Sequence, residues 1–149
     1  MKAKRIWVLV ADGARGRVLK REGTTTGLRA WPEGEFTHEV HRTRELGSDR
    51  PGRVYERGSA AHHAIELHAD WSHQEKQQFA RLLAEFLERF ARRNAFDRLV
   101  LVAPPRALGD LRAALGRHAR ARLAGELAND LTELGPPEIE ARLVKAELL

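Results

Sequence analysis

The chain has 149 residues, of which 42% are hydrophobic and 32% charged, so we expect one folded domain spanning residues 1–149. It contains no cysteine, which excludes disulfides, thiolate metal sites and a cysteine nucleophile. Its apolar runs are too short to cross a membrane or to form a leader peptide, which predicts a cytoplasmic protein without membrane insertion, and its net charge of +5 favours a negatively charged partner such as RNA.

The N-terminal part of the sequence predicts three antiparallel strands. Ile6–Ala11 is apolar on both faces, as expected for a central strand that is covered on both sides. The turn residues Asp12–Gly16 lead into a second strand at Arg17–Arg21. Residues 28–36 predict a third strand at the edge of the sheet, because Pro32 has no amide to donate to a ladder.

The segment Thr37–His63 is polar, with three glycines, five arginines, four acidic residues and four histidines. It offers little to bury, so we expect a long mobile loop within the domain. Loops of this length in compact domains are usually functional or disordered, which makes the segment a candidate site. The candidate loop residues are Arg57, Gly58, Ser59, His62 and His63.

A long helix is predicted to follow this loop. The capping pattern Ser72-x-x-Glu75 places its start there, because each side chain can bind the backbone amide of the other residue. Apolar residues recur at helical spacing over residues 79–90, and pairs of Glu and Arg four residues apart, such as Glu88 and Arg92, fit the exposed face.

The C-terminal part predicts alternating strands and helices. Arg98–Ala103 is a short apolar run typical of a buried parallel strand, and a short helix follows at about residues 108–115. Residues 121–134 fit both a helical face and a strand alternation, so periodicity leaves both open. Pro136 begins a last helix. Three strands followed by this alternation predict an α/β fold, a mixed sheet with helices packed on it.

Residues of the types that bind metals are close together just before the predicted long helix. They are His62, His63, His68, Asp70 and His73. Their spacing matches no standard metal site, so we expect no bound metal, and no motif indicates a cofactor. The sequence also lacks phosphate-loop, dinucleotide and serine-nucleophile motifs, which favours a non-catalytic domain.

Positive charge is concentrated in two stretches. Residues 1–21 contain seven Lys or Arg against one Asp, and residues 104–122 contain five Arg against one Asp. The candidate functional turn of the first stretch is Asp12, Gly13, Arg15 and Arg17. The candidate phosphate-binding residues of the second are Arg106, Arg112, Arg117, Arg120 and Arg122. The alternative is a solvated helix face whose charge is balanced by the six acidic residues of 123–149.

Four segments together resemble the bacterial host-attachment family, whose members are described as proteins required for attachment to host cells. The segments are Trp7–Val18, Phe79–Leu82, Leu99–Arg112 and Glu126–Thr132. That family is similar to the middle domain of archaeal and eukaryotic peptide-chain release factors and of the ribosome-rescue factor Pelota. The resemblance implies an RNase H-like mixed five-stranded sheet: three antiparallel strands, then helix-strand-helix-strand-helix, with a strand at 121–127. Release factors promote ester hydrolysis through a Gly-Gly-Gln sequence, which this chain lacks.

Three functions are compatible with these residues. The first is a non-catalytic cytoplasmic domain associated with RNA or the ribosome, whose role in attachment is indirect. The second is a protein-interaction module that regulates envelope or surface components through the acidic C-terminal helix. The third is a hydrolase that acts on an ester through Asp12 and the loop histidines. The sequence alone determines neither the partner nor the oligomeric state.

Overall fold

The computed structural model describes residues 4–23, 27–37 and 57–149, and for residues 57–72 it describes the course of the helix alone. In chain order the elements are β1 (Ile6–Ala11), β2 (Arg15–Arg21), β3 (Arg29–Thr37), α1 (Arg57–Arg92), β4 (Arg98–Ala103), α2 (Pro105–Ala114), α3 (Arg117–Ala121), β5 (Leu123–Ala128) and α4 (Pro136–Lys145).

The strands form one mixed five-stranded sheet in the order β3-β2-β1-β4-β5. β1 pairs antiparallel with β2 and parallel with β4, so that Ile6 lies between Arg21 and Arg98. β3 continues the antiparallel side and β5 continues the parallel side. Every residue of β1 is buried, which confirms that it is a central strand, and the sheet with its helices confirms the predicted α/β fold class.

Helices cover both faces of the sheet, because successive side chains of a strand point to opposite faces. Trp7 and Leu9 of β1 belong to the core formed with α1, α2 and α3. Val8 and Val10 belong to a second core, which includes Ile139 of α4. The alternation within one apolar strand therefore produces a layer of helices on each side.

The edge strand β3, predicted from Pro32, is fixed to the sheet by its aromatic side chain. The ring of Trp31 lies 5.1 Å from that of Trp7, measured between ring centroids. The ammonium of Lys20 lies 3.6 Å from the centroid of Trp31, a cation–π contact. These contacts attach β3 to the face that α1 covers.

The prediction that the long helix begins at Ser72 is wrong, because α1 begins at Arg57. Ser72 and Glu75 lie inside the helix, and Glu75 is buried there. Residues 57–71 contain several alanines and no proline, so nothing in them stops a helix. A capping pattern is compatible with a helix start but does not require one. None of the helices in the described residues is both long enough and apolar enough to cross a bilayer.

The predicted loop is correspondingly shorter at its C-terminal end. Residues 57–63 are helical, because they form the first turns of α1. The candidate loop residues Arg57, Gly58, Ser59, His62 and His63 therefore lie on α1 and not in a loop. At its other end, Thr37 is the last residue of β3. The remainder of the predicted loop, residues 38–56, lies outside the described residues.

The ambiguous region after residue 121 contains a strand. β5 runs parallel to β4, with Leu127 beside Val102, as the family resemblance implied. The sequence did not predict α3, a single short helix that turns the chain back toward the sheet. A helix of this length carries too few apolar positions to produce a recognisable periodicity.

Candidate functional site

A cavity of about 340 Å³, here called the Asp12 cavity, opens where β1 and β4 end. Asp12 and Gly13 follow β1, while Pro104 and Arg106 follow β4, and Lys76 contributes from α1. In open α/β sheets the carboxyl ends of parallel strands are the usual place for ligands. The structure thus brings together three residues that the sequence assigned to two separate candidate sites, Asp12, Gly13 and Arg106.

The turn after β1 is held by the carboxylate of Asp12. Its Oδ1 accepts hydrogen bonds from the amides of Ala14 at 2.8 Å and Arg15 at 2.7 Å, and its Oδ2 lies 3.3 Å from the guanidinium of Arg15. Short polar side chains that bind backbone amides two or three residues ahead are typical of tight turns. Asp12 therefore holds the hairpin in shape and forms one wall of the cavity.

Arg15 and Arg17 connect this hairpin to the segment after β5. Arg15 donates to the hydroxyl of Thr132 at 2.9 Å and to the carboxylate of Glu133 at 3.2 Å, while Arg17 donates to the carbonyl of Leu134. The hydrogen bond to Glu133, followed by that to Asp12, raises the pKa of Arg15 above its usual value. Both predicted turn arginines thus have partners within the protein.

Arg112 and Arg120, two of the predicted phosphate-binding residues, also bind within the protein. Arg112 forms a bidentate pair with Glu126 of β5, with a closest distance of 2.6 Å, and this pair holds the pKa of Glu126 below its usual range. Arg120 donates to the carbonyls of Arg112 at 2.8 Å and Leu115 at 3.0 Å. Arg120 therefore satisfies carbonyls at the C-terminal end of α2.

Arg122 has a similar structural role at the end of α3. It donates to the carbonyls of Phe96 and His118, each at 3.0 Å, and to the side chain of Asn94 at 3.2 Å. Among the five predicted phosphate-binding residues, Arg106 and Arg117 are exposed and make no hydrogen bond or ion pair with another described residue. As far as the described residues go, the guanidinium groups of these two have no partner and remain candidates for binding a ligand.

A second concave surface, here called the arginine groove, lies between the C-terminal half of α1 and the turn that joins α2 to α3. It has a volume of about 520 Å³. Arg89, Arg92 and Arg93 line it on the α1 side, and Gly116 lies opposite. Arg117 follows Gly116 and is exposed. The sequence did not single out these arginines as a site. It predicts ion pairs of Arg89 with Glu85 and of Arg92 with Glu88 along an exposed helix face, and it assigns no partner to Arg93.

Only part of that pairing is present in the described residues. Arg92 and Glu88 form the predicted pair at 3.3 Å. Arg89 is exposed and forms no ion pair with a described residue, and Arg93 instead packs on the ring of Phe90, 5.5 Å from its centroid. Glu85 and Glu88 also line the groove, but of its arginines in the described part of the chain only Arg92 pairs with one of them, and Arg89 and Arg93 pair with neither.

The carboxylate of Glu88, which pairs with Arg92, also binds the first turn of α3. This carboxylate accepts hydrogen bonds from the amides of Ala119 at 2.9 Å and His118 at 3.3 Å, and it lies 2.7 Å from Nδ1 of His118. Burial acts against the charged form of Glu88, but the bonds from Ala119 and His118 outweigh it and hold the pKa of the carboxyl below its usual range. Glu88 thus caps α3 from a neighbouring helix, at the wall of the arginine groove.

Among the side chains that the structure describes, no group of three or more His, Asp or Glu is placed to hold a metal ion. Four of the five candidate ligands, His62, His63, His68 and Asp70, lie in the part of α1 whose side chains are not described. The expectation of no bound metal therefore stays a prediction.

Comparison with known proteins identifies one family. The family model described as "Protein required for attachment to host cells" matches residues 7–143, from β1 to α4. No curated protein gives a significant match to the chain.

Proposed function

Because the chain belongs to the family of proteins required for attachment to host cells, we propose that it serves attachment indirectly, as a non-catalytic cytoplasmic domain that associates with RNA or the ribosome. The observation that carries this proposal is the arginine groove. Arg89 and Arg93 line it, and Arg117 lies next to its lining residue Gly116; all three are exposed and form no ion pair with another described residue. Glu85 and Glu88 also line the groove, and Glu88 pairs with Arg92. Guanidinium groups of this kind bind phosphate oxygens through paired hydrogen bonds.

The shape of the surface supports a chain-like ligand. Gln77 and Arg81 of α1, with Asp110 of α2, line a further depression between the Asp12 cavity and the arginine groove. Asp110 also lines the Asp12 cavity, and Ala114 also lines the arginine groove. The arginine groove and this further depression share Glu85 and Ala114 and form one crevice between α1 and α2. A strand of RNA lying along it would place its phosphates near Arg81, Arg89 and Arg93.

The resemblance to the middle domain of release factors and Pelota, with its RNase H-like sheet, belongs to the same proposal. That domain works on the ribosome, where release factors use their Gly-Gly-Gln sequence for ester hydrolysis. This chain lacks that sequence, so the part of the activity that would be shared is association with ribosomal RNA without hydrolysis.

The two alternatives receive less support from the contacts. A partner of the acidic C-terminal helix would need free carboxylates, yet within α4 Glu138 accepts from the amide of Gly135 and Glu140 accepts from the amide of Leu28. A hydrolase would need Asp12 free to act on a substrate, and its carboxylate already accepts three hydrogen bonds. The histidines proposed as its partners lie on α1.

The test is a titration of single-stranded RNA by fluorescence polarisation at about 50 and about 200 mM salt. The variant Arg89→Gln/Arg93→Gln/Arg117→Gln removes two positive charges from the arginine groove and one from the residue next to its lining residue Gly116. Since each lost phosphate contact lowers the salt slope by about 0.7 for single strands, we expect a slope smaller by about 2 and weaker binding. Co-sedimentation with ribosomes should decrease in the same variant.

The matched control removes the same charge elsewhere. Arg29, Arg142 and Lys145 are exposed on β3 and α4, away from the crevice. Their triple change to Gln should keep most of the affinity. Equal affinity and slope in the groove variant and the parent, both shown to be folded by a thermal melt, would reject the proposal, as would a parent protein that binds no RNA.

A further inference from the structure

The Asp12 cavity contains charges of both signs that do not neutralise each other. Lys76, Arg106 and Asp110 line it, and none of them forms a hydrogen bond or ion pair with another described residue. Arg106 and Asp110 are four residues apart on α2, a spacing at which opposite charges on a helix can meet. Two cations and a carboxylate therefore line one space, and none of them is paired within the part of the chain that the structure describes.

The floor of the cavity is apolar. Ala80 and Leu83 of α1 and Leu111 of α2 are almost completely buried and form part of its lining. The volume of about 340 Å³ is in the range of small-molecule sites, which combine an apolar lining with a few polar groups. A ligand that fits would have an apolar part against this floor and charges near the rim.

Gly13 leaves space for the side chain of Lys76 at the cavity. A Cβ atom at Gly13 would lie 2.8 Å from Cδ and 2.9 Å from Cγ of Lys76, closer than such atoms approach. The absence of a side chain at this turn lets the stem of Lys76 lie across the backbone. The stem of Lys76, from Cγ to Cε, therefore lies against the turn that follows β1.

We propose that the Asp12 cavity binds a small zwitterion of the amino-acid class, with a carboxylate, an ammonium group and an apolar side chain. The ligand carboxylate pairs with Arg106 and Lys76, its ammonium pairs with Asp110, and its side chain packs on Leu83 and Leu111. A plain anion would lie beside the unpaired carboxylate of Asp110, and a plain cation would lie beside two positive charges. Only a ligand with both charges satisfies the three groups.

The first experiment compares ligands on the unaltered protein by calorimetric titration. The probes are L-alanine, L-leucine and L-methionine, with 4-methylpentanoate and isopentylamine as analogues of leucine that lack the ammonium or the carboxylate. We expect at least one amino acid to bind, and each leucine analogue to bind about tenfold more weakly than leucine, because each leaves a charged group unpaired. No binding by the three amino acids, or equal binding by an analogue, would overturn the proposal.

The second experiment uses variants of the rim. Arg106→Gln and Asp110→Asn should each weaken binding of the tightest amino acid by about tenfold or more, while Arg142→Gln on α4 should leave it unchanged. Thermal melts check that the variants are folded. Unchanged affinity in both rim variants would refute the assignment of these residues. The three arginines changed in the RNA test do not line this cavity, so the two proposals stand or fall separately.

Discussion

Removal of the Glu88 carboxylate tests how α3 is held in place. The N-cap residue of α3 is Gly116, which has no side chain to cap the helix. The amides of His118 and Ala119 therefore depend on the carboxylate of Glu88 in α1 as their hydrogen-bond acceptor. The side chain of Glu88 is 13% exposed, and solvent therefore screens these bonds little. Hydrogen bonds to charged groups contribute about 1.5–3 kcal/mol and a lost cap costs about 0.5–2 kcal/mol. We expect Glu88→Ala to lower the free energy of unfolding by about 2–3 kcal/mol.

The measurement is urea unfolding at pH 7, compared with Glu85→Ala. Glu85 is exposed on the same helix, and its change should cost less than about 0.5 kcal/mol. The hydrogen-bonding explanation would be refuted if Glu88→Ala destabilised the protein no more than this control. The slope of the unfolding free energy against urea concentration should be the same in both variants and the parent. The shifts in the urea midpoints then report changes in stability alone.

The pH dependence provides an independent check. Because the pKa of Glu88 is lower in the folded protein than its ordinary value of 4.5, the carboxylate contributes stability in full above that pH. The contribution is lost as the pH falls through the folded pKa. The difference in unfolding free energy between the parent and Glu88→Ala should therefore be constant at neutral pH and shrink below about pH 4.5. A difference that stays constant throughout acidification would contradict this reasoning.

Two further changes test packing and the structural arginines. Gly16→Ala should destabilise the protein by about 1–3 kcal/mol, because the new Cβ would lie 3.0 Å from a methyl group of Leu83. Gly109→Ala should stabilise it by about 0.5–1 kcal/mol, because Gly109 lies in α2 with open space around it. Urea unfolding measures both free energies, and equal effects would contradict the packing explanation. Arg122→Gln should lower the melting temperature more than Arg117→Gln, because Arg122 donates to two backbone carbonyls and Arg117 binds no described residue. We expect Arg122→Gln to lower the free energy of unfolding by about 1–2 kcal/mol. Equal melting temperatures of the two variants would disprove the structural role of Arg122.

The positions of β1 and β4 could be predicted from the sequence because burial on both faces imposes a continuous apolar run on them. Ile6–Ala11 is apolar on both faces, which is typical of a short strand with neighbours and a layer on each side. β5 is only partly buried, and its pattern fits a helix as well as a strand. The start of α1 could not be predicted in this way. A capping pattern such as Ser72-x-x-Glu75 is compatible with a helix start at that point. Whether the helix extends back to Arg57 depends on the residues before the pattern.

The candidate site was predicted in its residue types but not in its geometry. Asp12 and Arg106 were placed in different candidate groups, and they meet because parallel pairing aligns the ends of β1 and β4. The sequence also shows where arginines are, but not which acceptors they reach. Arg120 and Arg122 bind carbonyls, while Arg89 and Arg92 of α1 had been assigned to ion pairs.

The two strands that pair with β1, β2 and β4, are expected to join it at very different rates during folding. Its partner β2 follows after a tight turn, and a hairpin of this kind closes on a scale of microseconds. On its other side the aligned residues Arg5 and Asp97 are 92 positions apart, so β4 must be brought in across most of the chain. The entropy of closing that loop is lost before the parallel ladder compensates for it. We therefore expect the folding rate to be set by the docking of β4 beside a hairpin that is already formed. Since closure entropy grows only with the logarithm of loop length, added residues between β3 and α1 should slow folding very little.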